Sequence, residues 1–295
     1  MMKKTRMRDT IAGYGFLLPS MTAIFLFTVL PIFVVIFYSF TNYKGGANWN
    51  FVGLKNYINM FSDPCMKYMI KTTFYMLFLC VPVIVLASLG IATILAQYFR
   101  NSKLGNLSKA IMFIPSVCAD VIIARIWQAL FAYGDNGTIN LIIRFFGGEM
   151  VDWLGVPSTA VVIVCFVKAW INIGYFIVIF YAGIMDIPKS HLEAAEIDGA
   201  NKFQQFIHVI VPELQHVLYF VISINVIWGF QVYNLIAIMT GGGPAFATTT
   251  LIYRIKVLAF NDWRIGYACA LSLLAFALIF LSTFVVNILF KPKDD

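Results

Sequence analysis

A chain of 295 residues that is 61% hydrophobic and 12% charged, with a mean hydropathy of +0.84, is an integral membrane protein; a soluble domain carries about twice that charge. The net charge of +7 comes from scattered basic residues, many of them flanking apolar runs, which fits membrane orientation and gives no nucleic-acid signal. A span takes about 20 apolar residues, so six spans use nearly half the chain and leave loops too short for a separate catalytic domain.

Residues 1–9 carry Lys3, Lys4, Arg6 and Arg8 ahead of the apolar run 14–40. That run is too long for a secretory leader and has no small-residue cleavage site, so it reads as a first span with its N-terminus inside. Pro19 and Pro31 are expected to bend it. The first external loop, 41–67, contains Phe51-Val-Gly-Leu-Lys-Asn-Tyr57. Span two is expected over 68–98, followed by a short basic inside turn, 99–109, with Arg100, Lys103 and Lys109.

Span three, 110–131, holds Asp120 and Arg125. Charges inside a span are costly and are paired or hidden in the bundle; five residues apart, these two are not neighbours on a straight helix. Pairing with another helix is the expected role, with a substrate or gating role as the alternative. An external loop, 132–157, leads to span four, 158–185, where Lys168 lies near the outer third and can snorkel.

Residues 186–215 form a polar island in this apolar chain. It reads as two short helices around a break. Pro188 suits a first turn, and Ser190 with Glu193 fits a capping box. Asp198-Gly199 is a stop signal, with positive φ expected at the glycine. Phe203, Phe206, Ile207 and Ile210 recur at i, i+3, i+4, i+7 and give the second helix an apolar face. Pro212 is placed to open the next long helix.

Span five, 216–239, is the most polar, with Ser223, Asn225, Trp228, Gln231 and Asn234. On a straight helix Ser223, Gln231 and Asn234 share a sector of roughly 80°. Amides inside a bilayer point either to a functional site or to interhelical hydrogen bonds. Asn225, Trp228, Gln231 and Asn234 are therefore substrate-pathway candidates, since amides pair with sugar hydroxyls and rings stack on sugar C–H faces. Loop 240–264 opens with Thr-Gly-Gly-Gly-Pro244 and continues to Thr248-Thr-Thr-Leu251; lacking a following Gly-Lys-Ser/Thr, it is no phosphate cradle. Span six, 267–290, presents Ala268, Ser272 and Ala275 as a small-residue packing face, and Lys291 begins an inside tail.

The pattern E-A-A, three residues, Gly, nine residues, then I-x-L-P resembles the cytoplasmic loop of ABC-importer permeases. Glu193, Ala194, Ala195, Gly199 and Pro212 match it, and Val209 and Val211 depart conservatively. Asp198-Gly199-Ala200 looks like the carbohydrate branch. So do the F-x-G-L-x-N-Y, T-G-G-G-P…T-x-T-L and G-Y-A-x-A-L-S stretches, the last being Gly266 to Ser272.

The resemblance implies an all-α, six-span type I importer permease, a single domain over 1–295 with a coupling helix in 186–215. Its ATPase-coupling residues would be Glu193, Ala194, Ala195, Asp198, Gly199, Ala200, Phe203 and Pro212. The implied partners are a second homologous permease, two ATP-binding-cassette subunits holding ATP and Mg²⁺, an extracytoplasmic solute-binding protein, a sugar and membrane lipid, with no nucleic acid. The location implied is a prokaryotic cytoplasmic membrane, with both termini inside.

No cofactor, metal site or catalytic residue is expected in the chain itself. No Walker motif, H-E-x-x-H helix or G-x-S-x-G elbow occurs, and His191, His208 and His216 lack metal-ligand spacing. Cys65, Cys80, Cys118, Cys165 and Cys269 show no C-x-x-C pair and read as free thiols. An ion-coupled secondary transporter would need inverted repeats and midplane carboxylates, but no repeat is visible and Asp120 stands alone. A non-transporting membrane scaffold is the third reading, and the polar fifth span argues against it.

Overall fold

A computed structural model describes residues 14–100 and 102–291. Among these the structure is helical, apart from one isolated antiparallel bridge between Thr41 and Phe51. The helices are α1 Tyr14–Ser39, α2 Lys55–Ser62, α3 Pro64–Tyr98, α4 Lys103–Val117, α5 Asp120–Leu130, α6 Thr138–Phe145, α7 Pro157–Asp186 and α8 Lys189–Ile197. Helix α9 is built from Lys202–Gln205, a π-turn Phe206–Ile210 and Val211–Glu213. Then come α10 Gln215–Phe230, α11 Asn234–Met239, α12 Leu251–Phe260 and α13 Ile265–Phe290. Five stretches are long and apolar enough to cross a membrane, and α4 with α5, bent by 98° at their junction, makes a sixth as a broken span. The basic segment 1–9 and tail residues 292–295 lie outside the described residues.

The chain divides into two compact units, 1–63 with 255–275, and 64–254 with 276–295. In the first unit, α1 winds through a π-turn at Phe25–Val29 just before Pro31, where the Leu30 amide donates back to the Phe25 carbonyl. Proline cannot donate, and a π-turn is one way a helix accommodates the lost rung. The F-x-G-L-x-N-Y stretch has a structural explanation. Asn56 is buried, and its amide donates to the Ser39 and Thr41 carbonyls, each at 2.8 Å, capping the end of α1. The Tyr57 hydroxyl meets the Ser39 hydroxyl at 2.7 Å. The G-Y-A stretch is explained in the same way. A Cβ at Gly266 would strike the Thr41 carbonyl, the Gly266 amide donates to Tyr43 at 2.9 Å, and the Tyr267 hydroxyl donates to Asp63 at 2.9 Å.

In the second unit the core lies between α3 and α7. Phe176, Ile177 and Phe180 of α7 are fully buried and cluster with Met76, Cys80 and Ile84 of α3. Helix α4 crosses α7 at Gly174, where the Met112 carbonyl occupies the space a Cβ would need. Helix α10 approaches α3 at Gly229, whose missing side chain admits Leu77. Outside the bundle, buried Asn140 organises the 132–157 segment. Its amide donates to the Ala132 and Val151 carbonyls at 3.0 and 2.9 Å and accepts from the Val151 amide at 2.9 Å.

Three expectations need correction. Span three is not one straight helix. Pro115 sits in the last turn of α4, Cys118 and Ala119 are extended, and Asp120 opens a new helix. Span five breaks at Gln231, so the common sector for Ser223, Gln231 and Asn234 does not exist. Pro212 does not open the long fifth helix; it lies in the last turn of α9, and α10 begins at Gln215 after Leu214.

Replacing Gly174 with Val is expected to lower the stability of the detergent-solubilised protein by about 1–3 kcal/mol or more, because the added atoms meet backbone. Gly90→Ala, at a position with open space around it, should be neutral or stabilising. Thermal unfolding of both variants checks the contrast.

Candidate functional site

The polar island is a helix–turn–helix. Helix α8 begins after Pro188 with no side-chain cap, so the Ser190–Glu193 capping box does not form. The box is instead Asn201 with Gln204. Asn201 Oδ1 accepts from the Gln204 amide at 2.9 Å, and Gln204 Oε1 accepts from the Asn201 amide at 2.8 Å. The signal was present as Asn-x-x-Gln, which satisfies two orphan amides as Ser-x-x-Glu does. The end of α8 is a Schellman turn, with Ala200 N–H bonded to the Ala195 carbonyl at 2.9 Å and Gly199 N–H to Glu196 at 3.1 Å. Gly199 takes φ +81° as expected, and the space around its α-carbon is open. Buried Gln205 donates to the Ala200 carbonyl at 3.3 Å and ties the second helix to the turn.

The expected apolar face of α9 is divided. The π-turn shifts the helical phase, so Ile210 is buried while Phe203 is 69% exposed and Ile207 is exposed as well. Ile197 is 86% exposed at the other side of the turn. A groove of about 280 Å³ lies at the turn, lined by Ala195, Asp198, Gly199, Ala200, Gln204 and His208 among others. Ala194 and Glu193 of α8 are exposed, and the Glu193 carboxylate makes no hydrogen bond or ion pair among the described residues. A second groove, about 580 Å³, gathers His191, His208 and His216 with Glu213, which meets His191 Nδ1 at 2.7 Å. Among the described residues no group of His, Cys, Asp and Glu has metal-holding geometry.

The four candidates of span five are not gathered at one place. Asn225 and Trp228 line a small cavity of about 10 Å³, together with Met76, Cys80, Val81 and Ile84 of α3 and Lys168 of α7. A cavity of that size holds about one water. Asn225 donates to the Val221 carbonyl at 2.9 Å, and the Trp228 ring packs against Tyr175 and Phe176 at 5.5 and 5.7 Å. Gln231 is exposed at the break and Asn234 starts α11, both outside this cavity. Lys168 lies about 16 Å along α7 from its first residue, near the depth expected. Its side chain also lines the cavity between α3 and α10.

The T-G-G-G-P…T-x-T-L stretch is a self-satisfied loop. Gly241 and Gly242 take φ +59° and +82°, and a Cβ at Gly242 would lie 2.5 Å from the Tyr253 ring. Thr248 donates to the Gly243 carbonyl and Thr249 to Gly242, each at 2.7 Å. Thr250 donates to Val232 at the break in span five, and the Leu251 amide donates to Thr73 of α3 at 3.0 Å. Tyr253 donates to the Gly241 carbonyl at 2.7 Å, and burial pushes its phenol above the usual range, which keeps it a donor. The helix α12 that follows was not expected from the sequence.

Residues 67–292 match the family model described as "Binding-protein-dependent transport system inner membrane component". The chain is 31% identical to the probable ABC transporter permease protein YesP of Bacillus subtilis (strain 168), covering 99% of this chain and 94% of that one. It is 30% identical to the trehalose/maltose transport system permease protein MalF of Thermococcus litoralis, covering 96% and 94%. A chain in the crystal structure of a bacterial ABC transporter that imports the acidic polysaccharide alginate shares the fold. Its TM-score is 0.82 at 20% identity, over 98% of this chain and 97% of that one. With its broken third span, its polar helix–turn–helix and these full-length likenesses, the chain belongs to the family of inner-membrane permease components of binding-protein-dependent ABC transport systems.

Proposed function

We propose that this permease forms the path of a sugar or oligosaccharide importer, paired with a second homologous permease. Two ATPase subunits, which hold ATP and Mg²⁺, dock on the 186–215 loop, and an extracytoplasmic binding protein delivers the sugar. Both termini and the loop lie on the cytoplasmic side. The observation that carries this reading is the loop itself. Ile197 and Phe203 are exposed on a segment otherwise polar, an open groove lies at the turn between the two helices, and the Glu193 carboxylate of the same loop is exposed and unpartnered among the described residues. Apolar anchors beside a groove and a free charge are what a docking helix presents to a partner cleft. The relative named for trehalose/maltose transport supports the sugar class.

The mechanism follows from rigid bodies. Closure of the ATPase dimer pulls on α8 and α9, whose capping box and Schellman turn make them one stiff unit. Gln205 and Ile210 pass that displacement to the bundle core, which switches between two packed arrangements. The chain's own contribution is to bind the ATPase, transmit its motion and line the path; phosphoryl transfer belongs to the partner.

Glu193→Lys is expected to weaken co-purification of the ATPase, or to uncouple its turnover from transport, while membrane insertion stays normal. Gly199→Asp should act in the same direction, since a side chain at φ +81° costs about 1–2 kcal/mol in the turn. Unchanged co-purification and unchanged coupled ATPase activity in both variants would remove the docking assignment. ATP-driven uptake of a maltooligosaccharide panel into proteoliposomes, with and without a protonophore, tests the importer reading. Uptake should need ATP and the binding protein and survive the protonophore, and the isolated chain should bind no nucleotide. Trp228→Ala should raise the apparent transport constant about tenfold, the equivalent of losing one interaction of about 1.4 kcal/mol, without changing the binding protein's affinity.

A further inference from the structure

Lys168 is a partly buried lysine that lines a cavity with mostly aliphatic walls. Its cavity is lined by Met76, Val81, Ile84 and Val232 as well as by Asn225 and Trp228. Among the described residues its Nζ makes no hydrogen bond and no ion pair. The carboxylate that influences it most is Asp120, at the first turn of α5, which lies within electrostatic reach but not in contact. A buried charge is tolerated when paired and hydrogen-bonded, and this one has a distant counter-charge and three unused donors.

The position of Asp120 follows from the break in span three. The extended residues Cys118 and Ala119 place it in the first turn of α5, where its carboxylate acts on Lys168 through space without occupying its donors. In the same cavity, Asn225 donates one amide hydrogen to the Val221 carbonyl and its Oδ1 takes no hydrogen bond among the described residues, while the Trp228 ring offers an apolar face. A cation, an acceptor and an aromatic ring side by side suit a sugar bearing an anionic group: the anion goes to Lys168, a hydroxyl to Asn225 and a C–H face to Trp228. Hydroxyls alone would leave the ammonium poorly compensated, because charge-assisted hydrogen bonds are roughly twice as strong as neutral ones.

We propose that Lys168 is the anion-recognition residue of the translocation path and that the imported substrate is an acidic saccharide, carrying a carboxylate, phosphate or sulfonate. The proposal rests on the sugar-importer reading and narrows it. In this state the cavity is closed to about one water's volume, so the substrate reaches Lys168 when α3, α7 and α10 separate during the transport cycle.

The test uses the complete importer, purified in detergent without its binding protein, and reads Trp fluorescence on titration with three probes. These are trigalacturonate, its carboxyl-reduced neutral counterpart, and glucose 6-phosphate. Wild type is expected to bind an acidic probe at least about tenfold more tightly than the neutral one. Lys168→Met should abolish that preference while leaving affinity for the neutral probe unchanged, and Lys168→Arg should retain it. Comparison of the carboxylate and phosphate arms identifies the anion. Equal affinity of wild type for acidic and neutral probes overturns the proposal even if Lys168→Met fails to fold. An acidic preference fully restored by the double substitution Lys168→Met with Asp120→Asn also overturns it, because the two charges would then serve only each other. If no saccharide binds and none is taken up by the full system, the sugar reading falls and takes this proposal with it.

Discussion

A backbone that breaks its helix inside hydrocarbon must find hydrogen-bond partners within the protein, and this constraint governs the second unit. Span five stops at Gln231, and the carbonyl of Val232 is met by the hydroxyl of Thr250. That hydroxyl belongs to a loop held shut by Thr248 and Thr249 on the Gly243 and Gly242 carbonyls and by the Thr240 hydroxyl on that of Thr248, and the Leu251 amide is taken by Thr73 of α3. The glycine-rich loop and the polar fifth helix are thus two halves of one hydrogen-bonding arrangement. Without the loop, the break would expose an unsatisfied carbonyl; without the break, the cavity beside Trp228 would have no irregular backbone next to it.

Small residues permit the rest. Gly174 lets α4 lie on α7 at backbone distance, and Gly229 lets α10 close on α3. Close approach by small residues is how helices associate where lipid removes the hydrophobic driving force. The fully buried aromatic rings of α7 then fill the centre that these contacts enclose. The polar loop 186–215 follows a different rule, because most of its side chains are exposed and it has no apolar core of its own. Its helices are too short to be stable alone, so caps at Asn201 and Gly199 and the buried Gln205 hold them. This leaves Ile197 and Phe203 exposed, a cost that the proposed docking partner would remove.

The order of elements was legible in the sequence alone. Apolar runs placed every span but the third to within a few residues, because length and hydropathy in lipid are nearly one-dimensional properties. The Asp198-Gly199 stop was legible because only a residue tolerant of positive φ closes a Schellman turn cheaply. The motifs F-x-G-L-x-N-Y and G-Y-A were visible as patterns, but their physical content was not. Asn56 caps a helix 15 and 17 residues away, and Gly266 yields to the Thr41 carbonyl, and neither pairing has a local signature.

What the tertiary structure decided are the directions. A period of 100° per residue aims side chains only while the helix continues, so the breaks at Cys118 and Gln231 and the π-turn at Phe206–Ile210 reset every angle beyond them. Lys168 shows the difference most clearly. Composition could set its depth in the membrane, whereas its facing α3 and α10 and lying near Asp120 depends on how three separate helices pack. Burial of a charge is a property of its neighbours, and a sequence names those neighbours without bringing them together.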